Sequence, residues 1–202
     1  MSAQHDRSRR GLIPARLLGT GVHLPDAVIS NDEVAHACGV DPSWIRDHVG
    51  YMERRRAAVG EASSDLGSAA AANALSRAGV EARDIDLVIC ATVTPDHLFP
   101  STAALVATRI GAQGAGAFDL QAGCAGFVYG VVLAAQSLAS GLARRVLVVG
   151  TDVVTRIVDS HDPQVAGIFG DGAGAAVFGP SEDGRGLESV CLGSDGSGAS
   201  LL

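Results

Sequence analysis

Within Phe118–Val132, FDLQAGCAGFVYGVV, a cysteine stands among glycines and alanines where a β-rich run gives way to a helical one. If the strand AFDLQ runs straight into the helix AGFVYGVVLAAQSL, Cys124 occupies the joining turn, next to a helix N-terminus. Free N–H groups and the positive end of the helix dipole favour an anion there, and the thiolate is the nucleophilic form of cysteine. Gly123, Ala125 and Gly126 carry little or no side chain, so the turn can be tight and a substrate can come close. These are the requirements of a nucleophile elbow built on sulfur. The competing reading of Cys124 is packing, since free cysteines usually act as small buried hydrophobes. Packing is the expected role of Cys90 in LVICAT, of Cys38 in a short helix and of Cys191, which reads as strand core.

Composition narrows the chemistry around that thiol. With 22 acidic residues against 15 basic ones the net charge is −7, and no basic run is interleaved with aromatics, so nucleic acid is a poor partner. Every basic residue is arginine, which removes Schiff-base lysine chemistry and the P-loop lysine. The four cysteines are far apart and form no CxxC or Cys/His cluster, so no metal is expected. No apolar run reaches the about 18 residues of a membrane-spanning helix, and the polar, arginine-bearing start MSAQHDRSRRGLIPAR lacks the apolar core of a signal peptide. A cytoplasmic protein with reduced thiols, 47% hydrophobic and long enough for a substantial core, is the expectation.

The elements that must hold Cys124 follow from periodicity. ARLLGTGVHLPD reads as a strand ending in a turn; Ser30 or Asn31 caps a helix in SNDEVAHACGV; DPSWIRDHVG is a helix capped by Asp41, with Pro42 at its first position and Gly50 as its stop. SSDLGSAAAANALSRAGV is an alanine-rich helix capped by Ser or Asp. Then IDLVICATVT, a nearly continuous apolar run, fits a strand buried on both faces, followed by helix STAALVATRIG, strand GAFDLQAG, helix AGFVYGVVLAAQSLASG and strand RRVLVVGTDV. GIFGDGAGAAVFG supplies a glycine turn and a strand, and GLESVCLGSDGSG begins another. The alternation predicts an α/β fold with a mixed, mostly parallel five-stranded sheet and helices on both faces. Residues 1–11 read as a flexible tail, 12–182 as the domain carrying the cysteine, and 183–202 as the start of a further unit.

The motifs GTGVHLPD, ISNDEV, WIRDHVGYMERRRA, HLFPSTAALVATRIGA, FDLQAGCAGFVYG and FGDGAGAAVFG occur in the order and approximate spacing of the β-ketoacyl-acyl carrier protein synthase III family, in the thiolase superfamily, which the chain resembles from about Leu12 onward. The resemblance implies one half of an αβαβα sandwich and a homodimer. It implies that Cys124 takes an acyl group from an acyl-CoA or acyl-acyl carrier protein, with its backbone N–H forming half of an oxyanion hole. The acyl-enzyme then undergoes decarboxylative Claisen condensation with malonyl-acyl carrier protein in fatty-acid or polyketide biosynthesis. No cofactor is held permanently; coenzyme A enters as a thioester substrate. Trp44 falls on the tryptophan that stacks on the coenzyme's adenine, or is a half-buried helix anchor. Phe169 falls on a position lining the acyl or pantetheine channel, and Phe99 on one that reaches the partner subunit and acyl pocket; both also fit ordinary core aromatics. The GDGAG turn lacks the Gly-Lys-Ser/Thr ending of a phosphate loop and reads as a structural turn of the superfamily.

Two departures from that pattern stand out. Where the family carries arginines for the coenzyme's phosphate end, this chain has His48 and Pro163, with Arg46 and Arg156 nearby as substitutes; a carrier-bound donor and a specialised pathway fit equally well. The family's activating histidine and asparagine come from a second half. The last histidine here is His161, and His97, on the turn after VICATVT, reads as loop surface or as a group reaching toward the site. A chain ending at Leu202 is therefore expected to be catalytically incomplete by itself. The alternatives are a thiolase-fold acyltransferase without decarboxylation and a non-catalytic partner of a complete synthase.

Overall fold

The computed structural model describes residues 9–201. The tail expected over residues 1–11 lies outside the described residues up to residue 8, as does Leu202. From Arg9 the chain runs through strand β1 (Arg9–Pro14), β2 (Arg16–His23) and β3 (Ala27–Ser30), then helix α1 (Asn31–Cys38), α2 (Pro42–Val49), strand β4 (Glu53–Arg56) and helix α3 (Ser63–Ala78). β5 (Leu87–Ala91), α4 (Thr102–Ile110), β6 (Gly116–Leu120), α5 (Gly126–Ala139) and β7 (Val146–Val153) form the alternating middle. The short α6 (Pro163–Ala166), β8 (Asp171–Gly179) and β9 (Gly186–Val190) complete the order.

Five strands form one sheet in the order β2-β8-β7-β5-β6. β5 pairs in parallel with both β6 and β7, whereas β8 runs antiparallel to β7 and to β2. Four of the five strands thus point the same way, as the α/β alternation predicts, and only β8 is reversed. Side chains alternate cleanly across this sheet. Val88, Cys90, Leu147, Val149, Ala175 and Val177 face α3 and α4, while Ile89, Val146, Val148, Ala176 and Phe178 face the α5 side. Each face therefore buries a β-branched layer under helices, the arrangement that makes continuous apolar runs such as LVICA read as central strands.

Alanine lets α3 lie unusually close to the sheet. A Cβ on Gly21 of β2 would fall 2.1 Å from the Ala70 carbonyl oxygen, so strand and helix backbones meet with no side chain between them. The helix starts differ from expectation in one respect. Ser30 caps α1 in a reciprocal box with Glu33, and Asp41 caps α2 by accepting from the Ser43 N–H at 2.8 Å. The cap position of α3, however, is Ala62. Asp65 accepts from the Ala62 N–H at 2.8 Å, and Asp96, from the loop after β5, accepts from the Ser64 N–H at 2.8 Å.

Two further pairings escape sequence patterning. β3 and β4, separated in the chain by α1 and α2, form an antiparallel pair over a third cluster of Ile29, Val34, Ala35 and Ile45, with Trp44 packed against it. β1 pairs antiparallel with β9, and Tyr129 of α5 donates to the Gly193 carbonyl at 3.0 Å, so residues after Gly186 return to the domain's own surface. Cys191, expected as strand core, lies past the end of β9 and is exposed, because β9 sits in a two-stranded sheet outside the main core.

Candidate active site

α5 fixes the position of the cysteine. Its buried residues include Gly126, Gly130 and Ala134, spaced four apart so that one bare stripe faces the sheet. A Cβ on Gly130 would lie 2.8 Å from Val148 Cγ1, which holds the helix axis tight against β7 and β5. Immediately before α5, a single 3-10 turn spans Gly123–Ala125, and Gly123 adopts φ 53°, a left-handed conformation that a side chain would strain. Cys124 is therefore delivered, exposed, at the end of β6 and the start of α5. The strand-to-turn-to-helix arrangement anticipated for this stretch is present.

The start of α5 differs from the other long helices. Ser101 caps α4, and both carboxylate oxygens of Asp119 accept from the Thr102 and Ala103 N–H groups at 2.7 Å each. The first residues of α5 receive no side-chain cap at all. The helix end beside Cys124 keeps its positive field free for an incoming or developing negative charge, as a sulfur nucleophile or a carbonyl oxygen would bring.

Cys124 opens onto a groove of about 770 Å³ at the C-terminal ends of the codirectional strands. Its walls include Val93, Val154, Ile157, Val158 and Phe169, and its exposed lining is chiefly apolar. Glycines at 150, 170, 172 and 174 also border the groove, and at Gly150 and Gly170 an added Cβ would press on Phe127 and on Arg54. This shape suits a flexible aliphatic or pantetheine-like chain better than a highly charged ligand.

Two aspartates that the motif reading did not single out hold this groove in shape. Asp152 Oδ1 accepts from the Val93 N–H at 2.7 Å, Thr92 Oγ1 at 3.0 Å and Thr94 Oγ1 at 3.2 Å, tying the end of β7 to the end of β5. Asp171, 4% exposed in the FGDG turn, accepts from the Ala57 N–H, the Thr155 N–H and Thr155 Oγ1 at 2.7 to 2.9 Å. It anchors both the chain just after β4 and the start of the Val154–Phe169 segment. The sequence signal for these roles is an acid in the last residues of a strand or directly after a glycine, with partners far away in the chain.

The remaining candidates divide. Phe169 shares the groove with Cys124. Trp44 sits half-buried on α2, its ring stacked on His48 with centroids 4.0 Å apart and planes 18° from parallel, and neither residue lines the groove. His48 Nδ1 lies 2.8 Å from the Trp44 carbonyl, which fixes that nitrogen as the proton donor. Pro163 opens α6, Arg46 lies 3.4 Å from Asp47, and Arg156 donates to the Ala58 carbonyl at 2.7 Å. Phe99 is 89% exposed on the loop after β5, and His97 beside it is exposed as well; neither lines the groove. Cys90 is fully buried between helix and sheet, where burial pushes its thiol pKa strongly upward, and Cys38 is partly buried with its pKa raised by burial and then by Asp162 and Asp159. Among the described residues no group of three His, Cys, Asp or Glu side chains converges as a metal site would require, and no helix is long and apolar enough to cross a membrane.

The site is thus a cysteine on an uncapped turn over an apolar groove, at the end of a mixed sheet flanked by helices in an α/β fold. Residues 118–196 match the family model of 3-oxoacyl-[acyl-carrier-protein] synthase III. β-Ketoacyl-[acyl-carrier-protein] synthase III of Xylella fastidiosa strain 9a5c is 48% identical over 190 residues, which is 94% of this chain and 58% of the relative. The enzyme of the same name from Symbiobacterium thermophilum is 46% identical over 185 residues, 92% of this chain and 56% of its own length. Among solved structures, the Thermus thermophilus synthase III superposes with a TM-score of 0.86 at 42% identity, covering 91% of this chain and 57% of that one. The priming β-ketosynthase of the R1128 polyketide pathway does so with a TM-score of 0.85 at 37% identity, covering 95% and 57%. Over more than nine-tenths of its length the chain is similar to the N-terminal half of β-ketoacyl-[acyl-carrier-protein] synthase III enzymes, and it spans a little over half the length of the curated relatives it matches.

Proposed function

We propose that this chain carries the acyl-accepting half of a β-ketoacyl-acyl carrier protein synthase III reaction. The Cys124 thiolate attacks the carbonyl carbon of an acyl thioester, a carbon–sulfur bond forms to the enzyme, and the donor's thiol departs with a proton. In the completed reaction, malonyl-acyl carrier protein loses carbon dioxide, its carbanion attacks the acyl-Cys124 carbonyl, and the thiolate is released. The observation that carries this reading is the placement of an exposed cysteine at the uncapped start of α5, opening into an apolar groove. The helix end opposes the negative charge that develops on the thioester oxygen, and backbone N–H groups of the Cys124 turn are the donors nearest to it.

The groove wall formed by Phe169 and Val158 receives the acyl or pantetheine arm. The Trp44–His48 pair offers an aromatic surface to a nucleotide, while Pro163 and His48 withhold the guanidiniums a diphosphate would prefer. The donor is thus either a coenzyme A thioester or an acyl chain on a carrier protein, and no permanently bound cofactor takes part. Phe99 and Leu98, both at least 89% exposed, suit burial in a homodimer of a cytoplasmic enzyme. The similarity to β-ketoacyl-[acyl-carrier-protein] synthase III enzymes and to a polyketide priming β-ketosynthase leaves fatty-acid and polyketide biosynthesis both as homes for it.

Incubation with acetyl- to octanoyl-CoA and with the same chains on acyl carrier protein, followed by intact-mass analysis, tests the reading. A single acyl increment that maps to Cys124 and disappears in Cys124→Ala is expected. No adduct from any donor, or an adduct on Cys38 or Cys191 alone, would overturn it. Transfer of an unextended acyl chain onward to an acceptor, with malonyl-acyl carrier protein left intact, would assign the same cysteine to an acyltransferase.

A further inference from the structure

Of the residues that line the Cys124 groove, Asp152 alone has an acidic or basic side chain other than the thiol itself. Among the described residues its hydrogen bonds come from the Val93 N–H and the hydroxyls of Thr92 and Thr94, and all three go to Oδ1. These donors are neutral, so they fix the carboxylate without cancelling its charge. No arginine or histidine among the described residues forms an ion pair with it. Arg54 donates to Asn31 and to the Gly167 carbonyl, Arg156 donates to the Ala58 carbonyl, and neither lines the groove.

The groove is thus polarised. Beside Cys124 the uncapped start of α5 presents roughly half a positive elementary charge, which favours the carbonyl oxygen of a group bound to the sulfur. In the same enclosure, among apolar walls that screen charge less than water does, stands the full negative charge of Asp152. For an incoming anionic tail the full charge outweighs the partial one. A neutral acyl chain is indifferent to Asp152 and a cationic one is drawn to it, whereas a chain ending in a carboxylate brings a second anion beside the first.

We propose that Asp152 determines specificity for the charge of the acyl chain: it lets neutral and cationic chains settle on Cys124 and turns away chains that end in a carboxylate. The proposal rests on the reading of Cys124 as the acyl acceptor. A malonyl thioester carries such a carboxylate, so the same charge keeps the extending unit from being loaded on the cysteine in place of the donor. Asp152→Asn isolates the charge. It leaves Oδ1 as acceptor for all three donors, and since none of the described residues donates to Oδ2, the amide nitrogen can take that place.

The N-acetylcysteamine monothioester of glutaric acid and the thioester of 5-oxohexanoic acid, matched in chain length and differing by one charge, provide the test, with acylation of Cys124 timed by peptide mass. The parent is expected to take the 5-oxohexanoyl group at least ~10-fold faster than the glutaryl group, the scale of a unit charge several ångströms away. In Asp152→Asn that ratio should fall at least ~5-fold through faster glutaryl transfer. Ile157→Arg, at a wall position that is 64% exposed, sets a cation in the groove with the bonds of Asp152 intact and should lower the ratio as well. Equal rates in the parent, or an unchanged ratio in both variants, would overturn the proposal. Absence of any 5-oxohexanoyl adduct on Cys124 would instead count against the acyl-acceptor reading, and alkylation then decides whether the charge is felt at the sulfur. The rate with iodoacetate relative to iodoacetamide at Cys124, normalised to exposed Cys191, should rise at least ~5-fold from the parent to Asp152→Asn, and no rise would overturn the proposal.

Discussion

Gly130 of α5 and Val148 of β7 face each other so closely that a methyl group on the glycine would reach within 2.8 Å of Val148 Cγ1. A branched side chain in a central strand cannot swing away, so Gly130→Ala must push α5 off the sheet. Overpacking of this kind costs ~1–3 kcal/mol, against which the better helix propensity of alanine returns at most ~1 kcal/mol. A net loss of about 1 kcal/mol is expected in urea unfolding. Val148→Ala should cost less in the Gly130→Ala background than in the parent, because it removes the obstructing methyl; additive losses would show that the two sites do not touch.

Thiol chemistry should separate the four cysteines in the native protein. Cys124 and Cys191 are exposed, whereas Cys90 is fully buried with its pKa raised by burial. Iodoacetamide at pH 8 is expected to label Cys124 and Cys191 within minutes and to leave Cys90 untouched until denaturant is added. Peptide mapping gives the order of labelling, and early modification of Cys90 would contradict the packing of β5.

Asp171→Asn replaces an acceptor by a group that is half donor. Three donors, two from Thr155 and one from Ala57, converge on the Asp171 carboxylate, so the amide NH₂ must face another N–H or O–H in a buried place. A loss of ~2–3 kcal/mol is expected for breaking such charge-assisted bonds. Hydrogen exchange should quicken first between residues 154 and 169, the segment that Asp171 anchors, and chemical denaturation gives the magnitude.

The Ser30–Glu33 capping box sets an acid limit on α1. Glu33 is held below its ordinary 4.5, first by the Ser30 backbone N–H and then by the Ser30 hydroxyl. Its pKa is thus lower folded than unfolded, so its contribution is complete above pH 4.5 and is lost as pH falls through the folded value. Amide exchange in α1 should accelerate relative to α3 below pH 4.5 in the parent. Glu33→Gln keeps an acceptor that does not titrate, and should show no such step.

Local signals were enough for much of this fold. Pro42 with Asp41 and Gly50 marks both ends of α2, and the apolar run of β5 marks a central strand, because caps and burial on both faces are written into neighbouring residues. β4 was not legible: Glu-Arg-Arg-Arg has no apolar period, and only pairing with β3 and the burial of Arg54 make it a strand. Cys191 misled for the opposite reason, since the alternation in LESVCL is that of a half-buried strand but its partner β1 lies outside the main sheet. At the site, Cys124 could be placed from its own turn. That Phe169 shares its groove while Trp44 does not depends on contacts between distant segments, as do the loads carried by Asp152 and Asp171.

Asp86, Asp96, Asp119 and Asp171 each spend their charge on backbone amides at 2.7 to 2.9 Å, and none of the four pairs with an arginine side chain within 4.0 Å among the described residues. Such contacts are far shorter than the ~8 Å over which physiological salt screens charge. Ionic strength therefore has little hold on this scaffold. A protein rich in acid and wholly without lysine is held together by carboxylates acting as local fasteners of the main chain, and molar salt should loosen the encounter with charged partners well before it loosens the framework.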